Sequence, residues 1–373
     1  MSPEKRYPIL STLLAPFPKR HRPTLALVIA ALTVTAQARS MAIATTLTTW
    51  LRVHFGSALN RLYRLLRNPR LDDLLMLTQL ARCLGSPSHP LLLAIDWTEW
   101  HHDLRMLVCA FVTGRRALPI WTQAVNQRLP LRSQNAQENA FLRLLAQGLK
   151  AAGRTAIVLC DRGFRRATWL KLLQDQQMGF VVRLMDDVHV EVAPGMQMAL
   201  ADLLLTPGRL LDLGPVWIRS DRAVLVRVVG YWAPGAKEPW WLATSETGSA
   251  RRVLALYDRR MTVEEQFRDT KGCRFGVKLF WTRFTNPLAL AHFMMLVGVA
   301  LMLWLVVGQL AARRTPSLRL PCPKKGPRQS YVTIGLRAIA SAQWEGCLTQ
   351  RLIRLTLEPP AFRHLGPHAL GGK

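Results

Sequence analysis

Between Pro23 and about Gly85 apolar residues recur at helical spacing, with no Gly-rich interruption before Gly56. Arg61, Arg64, Arg67 and Arg70 return every third residue and alternate with Leu62, Tyr63, Leu65 and Leu66, so a helix here has a basic face and an apolar face until Pro69 interrupts it. From Pro90 the period changes from helix to strand. LLLAID, LRMLVCAFVT and ALPIWTQAV read as three consecutive strands, with Thr113-Gly114-Arg115-Arg116 as a hairpin turn. A helix predicted from about Ser133 to Lys150 carries Leu142, Leu145 and Leu149 on one face. The strand TAIVLC, a helix beginning after Gly163 and the strand FVVRL follow, which makes the chain a mixed α/β protein.

Beyond FVVRL, the stretch from Asp186 to Glu246 alternates apolar and polar residues, as in AVLVRVVGYW, and is broken by Pro and Gly. It reads as a β-rich insertion. Leu288 to Val307 is apolar throughout, with His292 its one ionisable residue, and is long enough to span a bilayer. A helix apolar on all sides is equally the buried centre of a large domain. After Arg313 a basic, Pro-rich linker precedes a short helical pattern from about Ile334 to Trp344.

Charge narrows the partners. The formal net charge is +27, with 50 Lys and Arg against 23 Asp and Glu, which favours nucleic acid first and an anionic membrane surface second. Residues 1–70 hold 11 bases against Glu4 alone, and residues 312–373 hold 11 against Glu345 and Glu358. The middle is different: from Asp186 to Ala250 there are eight acids and five bases. Basic ends of this kind grip a phosphate backbone, and Arg61, Arg64 and Arg67 are the candidates to do so near the N-terminus.

The six cysteines show no CxxC spacing, so they give neither a zinc signature nor a disulfide framework. Cys109 and Cys160 sit in apolar runs as small core residues. Lys19, Arg20 and Arg22 before the apolar stretch Leu25 to Leu32 imitate a signal peptide, but the charged region is long and carries proline, and a cytoplasmic location is expected.

Candidate chemistry gathers in YDRRMTVEEQFRDTKG. On an α-helix Tyr257, Arg260, Glu264 and Lys271 fall within roughly 60° of one another, a phenol, a guanidinium, a carboxylate and an ammonium on one face. Alone, this is also what a solvated helix face looks like. Asp96 and Asp161 close the apolar runs LLLAI and TAIVLC, and a carboxylate at a strand end reaches the sheet edge where ligands gather. Three hard oxygen donors, Asp96, Asp161 and Glu264, suit Mg²⁺ rather than Zn²⁺. Glu265 is a rival, but its register is rotated by about 100°.

With IDWTEW, GRRALP, CDRGF and VVRL also in place and in order, the chain resembles the Asp-Asp-Glu transposases of bacterial insertion sequences. More narrowly, it is similar to the subgroup marked by Tyr-x2-Arg-x3-Glu-x6-Lys, over about Arg61 to Leu336. One departure is Met261, where an aromatic residue often follows the Arg, and altered packing beneath the helix is expected there.

The resemblance implies a ribonuclease-H-like mixed sheet whose first and fourth strands lie side by side, so that Asp96 and Asp161 meet. It implies a catalytic triad of Asp96, Asp161 and Glu264 holding two Mg²⁺ ions, with Mn²⁺ as a substitute, and phosphate contacts from Tyr257, Arg260 and Lys271. Trp232, Trp240 and Trp241 are candidates to stack on a base pulled from the duplex. The expected division is a helical, basic DNA-binding region (1–88), a catalytic domain in two parts (89–185 and 251–312) around the β-rich insertion (186–250), and a basic C-terminal region (313–373).

Double-stranded DNA, as transposon ends and target, is the expected partner, the chain acting as a homodimer without a membrane. The family's long apolar helix after the Glu helix favours the core reading of Leu288 to Val307. Three rivals stay open: a nuclease of the same fold that never joins strands, a non-catalytic DNA-binding derivative, and a protein anchored by that apolar segment.

Overall fold

The computed structural model describes residues 10, 13–101, 103–113, 116–128, 133–218, 223–262, 284–314 and 331–345. Helices α1 (Arg22–Thr35), α2 (Ser40–Leu51), α3 (Phe55–Leu66) and α4 (Asp73–Cys83) come first. Ala36 and Arg52 end α1 and α2 in the left-handed region, each at φ 53°. Neither break carries a Gly signal. In α3 the expected two faces are present: Leu62, Leu65 and Leu66 are buried, while Arg61 and Arg64 are exposed.

Strands β1 (Leu91–Glu99), β2 (Leu104–Thr113) and β3 (Arg116–Asn126) form an antiparallel run. Gly114 and Arg115 of the expected turn lie outside the described residues. Helix α5 (Gln134–Ala151) starts on Ser133, whose hydroxyl accepts from the Ala136 amide. Strand β4 (Ala156–Cys160), helix α6 (Ala167–Asp175) and strand β5 (Gly179–Leu184) follow. β1 pairs in parallel with β4, and β4 with β5, so the adjacency of first and fourth strands expected from the sequence is present.

The next strands, β6 (His189–Ala193), β7 (Met196–Ala199), β8 (Leu210–Ile218), β9 (Val224–Tyr231) and β10 (Trp240–Thr244), do not form a separate sheet. β10 bonds to β5 on one side and β9 on the other, giving one ten-stranded mixed sheet in the order β3-β2-β1-β4-β5-β10-β9-β8-β6-β7. The fold is mixed α/β.

Alternation sorts the sheet into two faces. One face, with Leu91, Leu93 and Ile95, joins the large core with α5, α6 and the N-terminal helices. The other, with Leu92, Ala94, Ile157 and Leu159, makes a smaller core under Val253 and Tyr257 of helix α7 (Ala250–Asp258).

The long apolar segment forms helix α8 (Pro287–Arg314). Its apolar stretch is long enough to cross a membrane, yet it is wholly enclosed, packed on β3, α1, α3 and helix α9 (Tyr331–Glu345). A Cβ on Gly298 would collide with the Pro119 carbonyl, and one on Gly308 with the Tyr331 carbonyl, so backbone meets backbone at both contacts. His292, buried in α8, bonds through Nδ1 to the Leu66 carbonyl at 2.7 Å and has Nε2 2.9 Å from Asp73 Oδ1. The Trp304 indole donates to the Thr33 carbonyl at 2.9 Å.

Candidate active site

Asp96 and Asp161 stand side by side on the face covered by α7. Leu92, Ala94 and Asp96 alternate onto that face, as do Ile157, Leu159 and Asp161, and the last paired residues of the two strands are Ile95 and Cys160. Asp161 follows β4 directly, as expected of a strand end. Asp96 does not end its strand: β1 runs on to Glu99, still paired with β2 (Asp96 with Val108, Glu99 with Arg105). It lies just past the point where β4 stops.

Each aspartate uses one oxygen on the backbone. Asp96 Oδ1 accepts from the Trp97 amide at 2.9 Å. Asp161 Oδ1 accepts from the Gly163 amide at 2.8 Å and caps a 3-10 turn at Arg162–Phe164. The other oxygens converge, Asp96 Oδ2 at 3.8 Å and Asp161 Oδ2 at 3.6 Å from the same Nη2 of Arg260.

Arg260 reaches them because the chain tightens. The α-helix α7 ends at Asp258 and passes into a 3-10 turn at Arg259–Met261, so the single α-helical face expected to carry the quartet does not extend through Arg260. A 3-10 turn advances each residue by about 120° rather than about 100°, so Arg260 leaves the register of a continuing α-helix. The start of α7 is fixed by the Ser249 cap and by Arg227, which binds the Glu246 and Gly248 carbonyls and pairs with Asp212. Met261, where altered packing beneath the helix is expected, is 47% exposed. Glu264, Glu265 and Lys271 lie outside the described residues.

Tyr257 is buried, and burial raises its phenol to about 12, against partial lowering by Arg260 and Arg183. The phenol therefore stays a hydrogen-bond donor at neutral pH. Trp240 meets it edge to face with ring centroids 5.0 Å apart. Trp241 is 2% exposed with its ring over Gly230, which makes it a core residue and leaves no face for a base. Trp232 is partly buried and donates its indole N–H to the Ala236 carbonyl at 3.0 Å. Arg162 and Arg183 share Glu238 at 3.4 and 2.8 Å, so Arg162 is an ion-pair residue here. Cys109 and Cys160 are fully buried, and burial raises both thiols.

Sequence reasoning passed over Glu138. Its carboxylate, 1% exposed, accepts from the Trp97 indole and the Gln134 amide at 2.8 Å each and pairs with Arg166. Arg166 also binds Asn135 and Asn139. Trp97 neighbours Asp96, and Arg166 ends the segment that begins at Asp161, so one buried pair ties both aspartate-bearing segments to α5. The available signal was that Glu138 is the lone acid between Asp103 and Asp161.

As a ligand set, the converging pair offers hard oxygen donors, the chemistry of Mg²⁺ or Mn²⁺ sites. Among the described residues no group of three or more His, Cys, Asp or Glu gathers for a metal. Residues 87–303 match the family described as "Transposase DDE domain", and by that match, over more than half of its length, the chain belongs to the family and is a DNA transposase. The family is generally dependent on divalent metal. No curated protein matches the chain. Among solved structures, the cryo-EM structure of the piggyBac transposase synaptic complex with hairpin DNA is similar at TM-score 0.44 and 12% identity, over 99% of this chain and 84% of that one.

Proposed function

We propose that this transposase binds the ends of its element as duplex DNA, cleaves there, and joins the freed 3′ ends to a target duplex. The convergence of Asp96 and Asp161 from two paired strands beneath Arg260 carries the reading. Asp96, Asp161 and Glu264 would hold the metal, Mg²⁺ with Mn²⁺ as a substitute. Metal held there would supply activation of the attacking hydroxyl and charge stabilisation of the leaving 3′ oxygen, two ions sharing those tasks.

The remaining roles belong to the chain's own side chains. Phosphoryl transfer needs positioning and charge stabilisation rather than a covalent nucleophile. Arg260 lies within reach of a phosphate placed at the two aspartates, and it balances the carboxylates' charge when no DNA is present. Tyr257, protonated at neutral pH, donates toward the same phosphate, and the resemblance gives Lys271 a phosphate contact as well. Resemblance to the subgroup of bacterial insertion sequences with Tyr-x2-Arg-x3-Glu-x6-Lys supports these assignments, and the order of the first five strands supports a ribonuclease-H-like core. We further propose a homodimer on the DNA and a cytoplasmic location.

The test is an end-labelled duplex of the element's terminus with Mg²⁺ and a supercoiled target. Wild type is expected to nick the terminus and yield joined product. Asp96→Asn, Asp161→Asn and Glu264→Gln are expected to bind the duplex but not cut it, whereas Glu265→Gln cuts. Cleavage by either Asn variant overturns the ligand assignment, and nicking without joined product favours a nuclease of the same fold.

A further inference from the structure

The arginines that run along α3 and just past its end differ in their surroundings. Arg67 lies over the Tyr63 ring at 5.4 Å, and Arg22, at the start of α1, donates Nε to the Phe17 carbonyl at 2.6 Å. Arg61 and Arg64 instead line a cavity of about 490 Å³ between α3 and the start of α1. Arg20, His21 and Thr24 form its opposite wall, and Asn60 stands beside the two α3 arginines. His21 is held by Asn68, whose Nδ2 is 3.4 Å from His21 Nε2.

Among the described residues the pocket is lined by side-chain donors and by no acid. None is close in sequence either, because no Asp or Glu occurs between Glu4 and Asp72. The first two acids that follow are engaged elsewhere: Asp72 caps α4 by accepting from the Leu75 amide, and Asp73 lies against His292. Arg20, Arg61 and Arg64 are exposed and make no side-chain hydrogen bond or ion pair among the described residues. Three guanidinium groups facing one concavity repel each other, and an anion between them relieves that repulsion. The pocket lies outside residues 87–303, so membership of the family assigns it nothing.

We infer that this pocket seats one backbone phosphate of duplex DNA, gripped from α1 and α3 together. The inference rests on the reading that the chain binds transposon DNA. It differs from a broad basic surface in giving Arg20, which is distant in sequence, the same role as Arg64 and in excluding Arg67. The contact is to phosphate alone and positions the duplex without reading its sequence.

The experiment uses the full chain in EDTA, a fluorescent terminus duplex and a salt series read by anisotropy. The Arg20→Ala/Arg64→Ala double variant is expected to lower the slope of log affinity against log salt by about 0.9, the contribution of one phosphate. Arg67→Ala is expected to leave the slope unchanged. A scan of single methylphosphonate substitutions is expected to show one position that weakens wild type and not the double variant. All of these side chains are exposed, so folding should persist, and a urea unfolding curve checks it.

An unchanged slope in the double variant, an equal effect from Arg67→Ala, or no such methylphosphonate position overturns the pocket. Each of these outcomes leaves the aspartate reading standing, since that is judged by cleavage in Mg²⁺. A wild-type chain that does not hold duplex DNA overturns both.

Discussion

Glu138 is a carboxylate almost wholly out of water, and such a group persists only where partners replace the lost hydration. Trp97, Gln134 and Arg166 supply them. Glu138→Ala strands the Arg166 guanidinium among α5 side chains and should cost about 3 kcal/mol in urea unfolding, the lower end for a broken buried pair because Arg166 remains 19% exposed. Glu138→Gln keeps an acceptor for Trp97 and should cost less. Tyr257 gives a different signature. Its phenol is raised from 10.0 to about 12, so above pH 10 the unfolded chain releases a proton that the folded chain retains. Stability contributed by this group is fully present below pH 10 and is lost as pH rises toward 12. Comparing urea midpoints of wild type and Tyr257→Phe across that range should show the steeper fall in wild type.

At the scale of elements, the closest packing is between α8 and α9, where a Cβ on Gly308 or Gly335 would meet the partner helix's backbone. Backbone cannot rotate away as a side chain can, so Gly308→Ala or Gly335→Ala should destabilise by about 1–3 kcal/mol in thermal or urea unfolding. Most elements were legible in the sequence because their apolar period is strong: β2 spans the predicted LRMLVCAFVT, and α9 contains the helical pattern from Ile334 to Trp344. The breaks at Ala36 and Arg52 were not, since a left-handed non-Gly residue costs roughly 1–2 kcal/mol and no Gly, Asn or Pro marks either position. Asp96 and Asp161 were legible as a pair because both follow apolar runs, but the extension of β1 beyond Asp96 depends on β2, a partner the run itself does not reveal. The 3-10 turn at Arg259–Met261 and the burial of Trp241 likewise depend on neighbours distant in sequence.

In the whole molecule a single sheet joins the strands bearing the aspartates to the strand-rich stretch, through β10 between β5 and β9. Losing β9 would expose the edge of β10 and the ring of Trp241, so hydrogen exchange should find the amides of β5, β10 and β9 opening together rather than in two separate steps. α8 connects the other side of the fold. It rests on β3 and is pinned to α1 through Trp304 and to the end of α3 through His292. A stiff rod buried between the N-terminal helices and the sheet makes the distance from Arg64 to Asp96 a constant of the protein. The enzyme then carries its own ruler: with one phosphate seated between α1 and α3, the scissile bond is found at a set length along the duplex. The methylphosphonate position that weakens binding and the cleaved bond should therefore keep one spacing along every terminus duplex that the enzyme cuts.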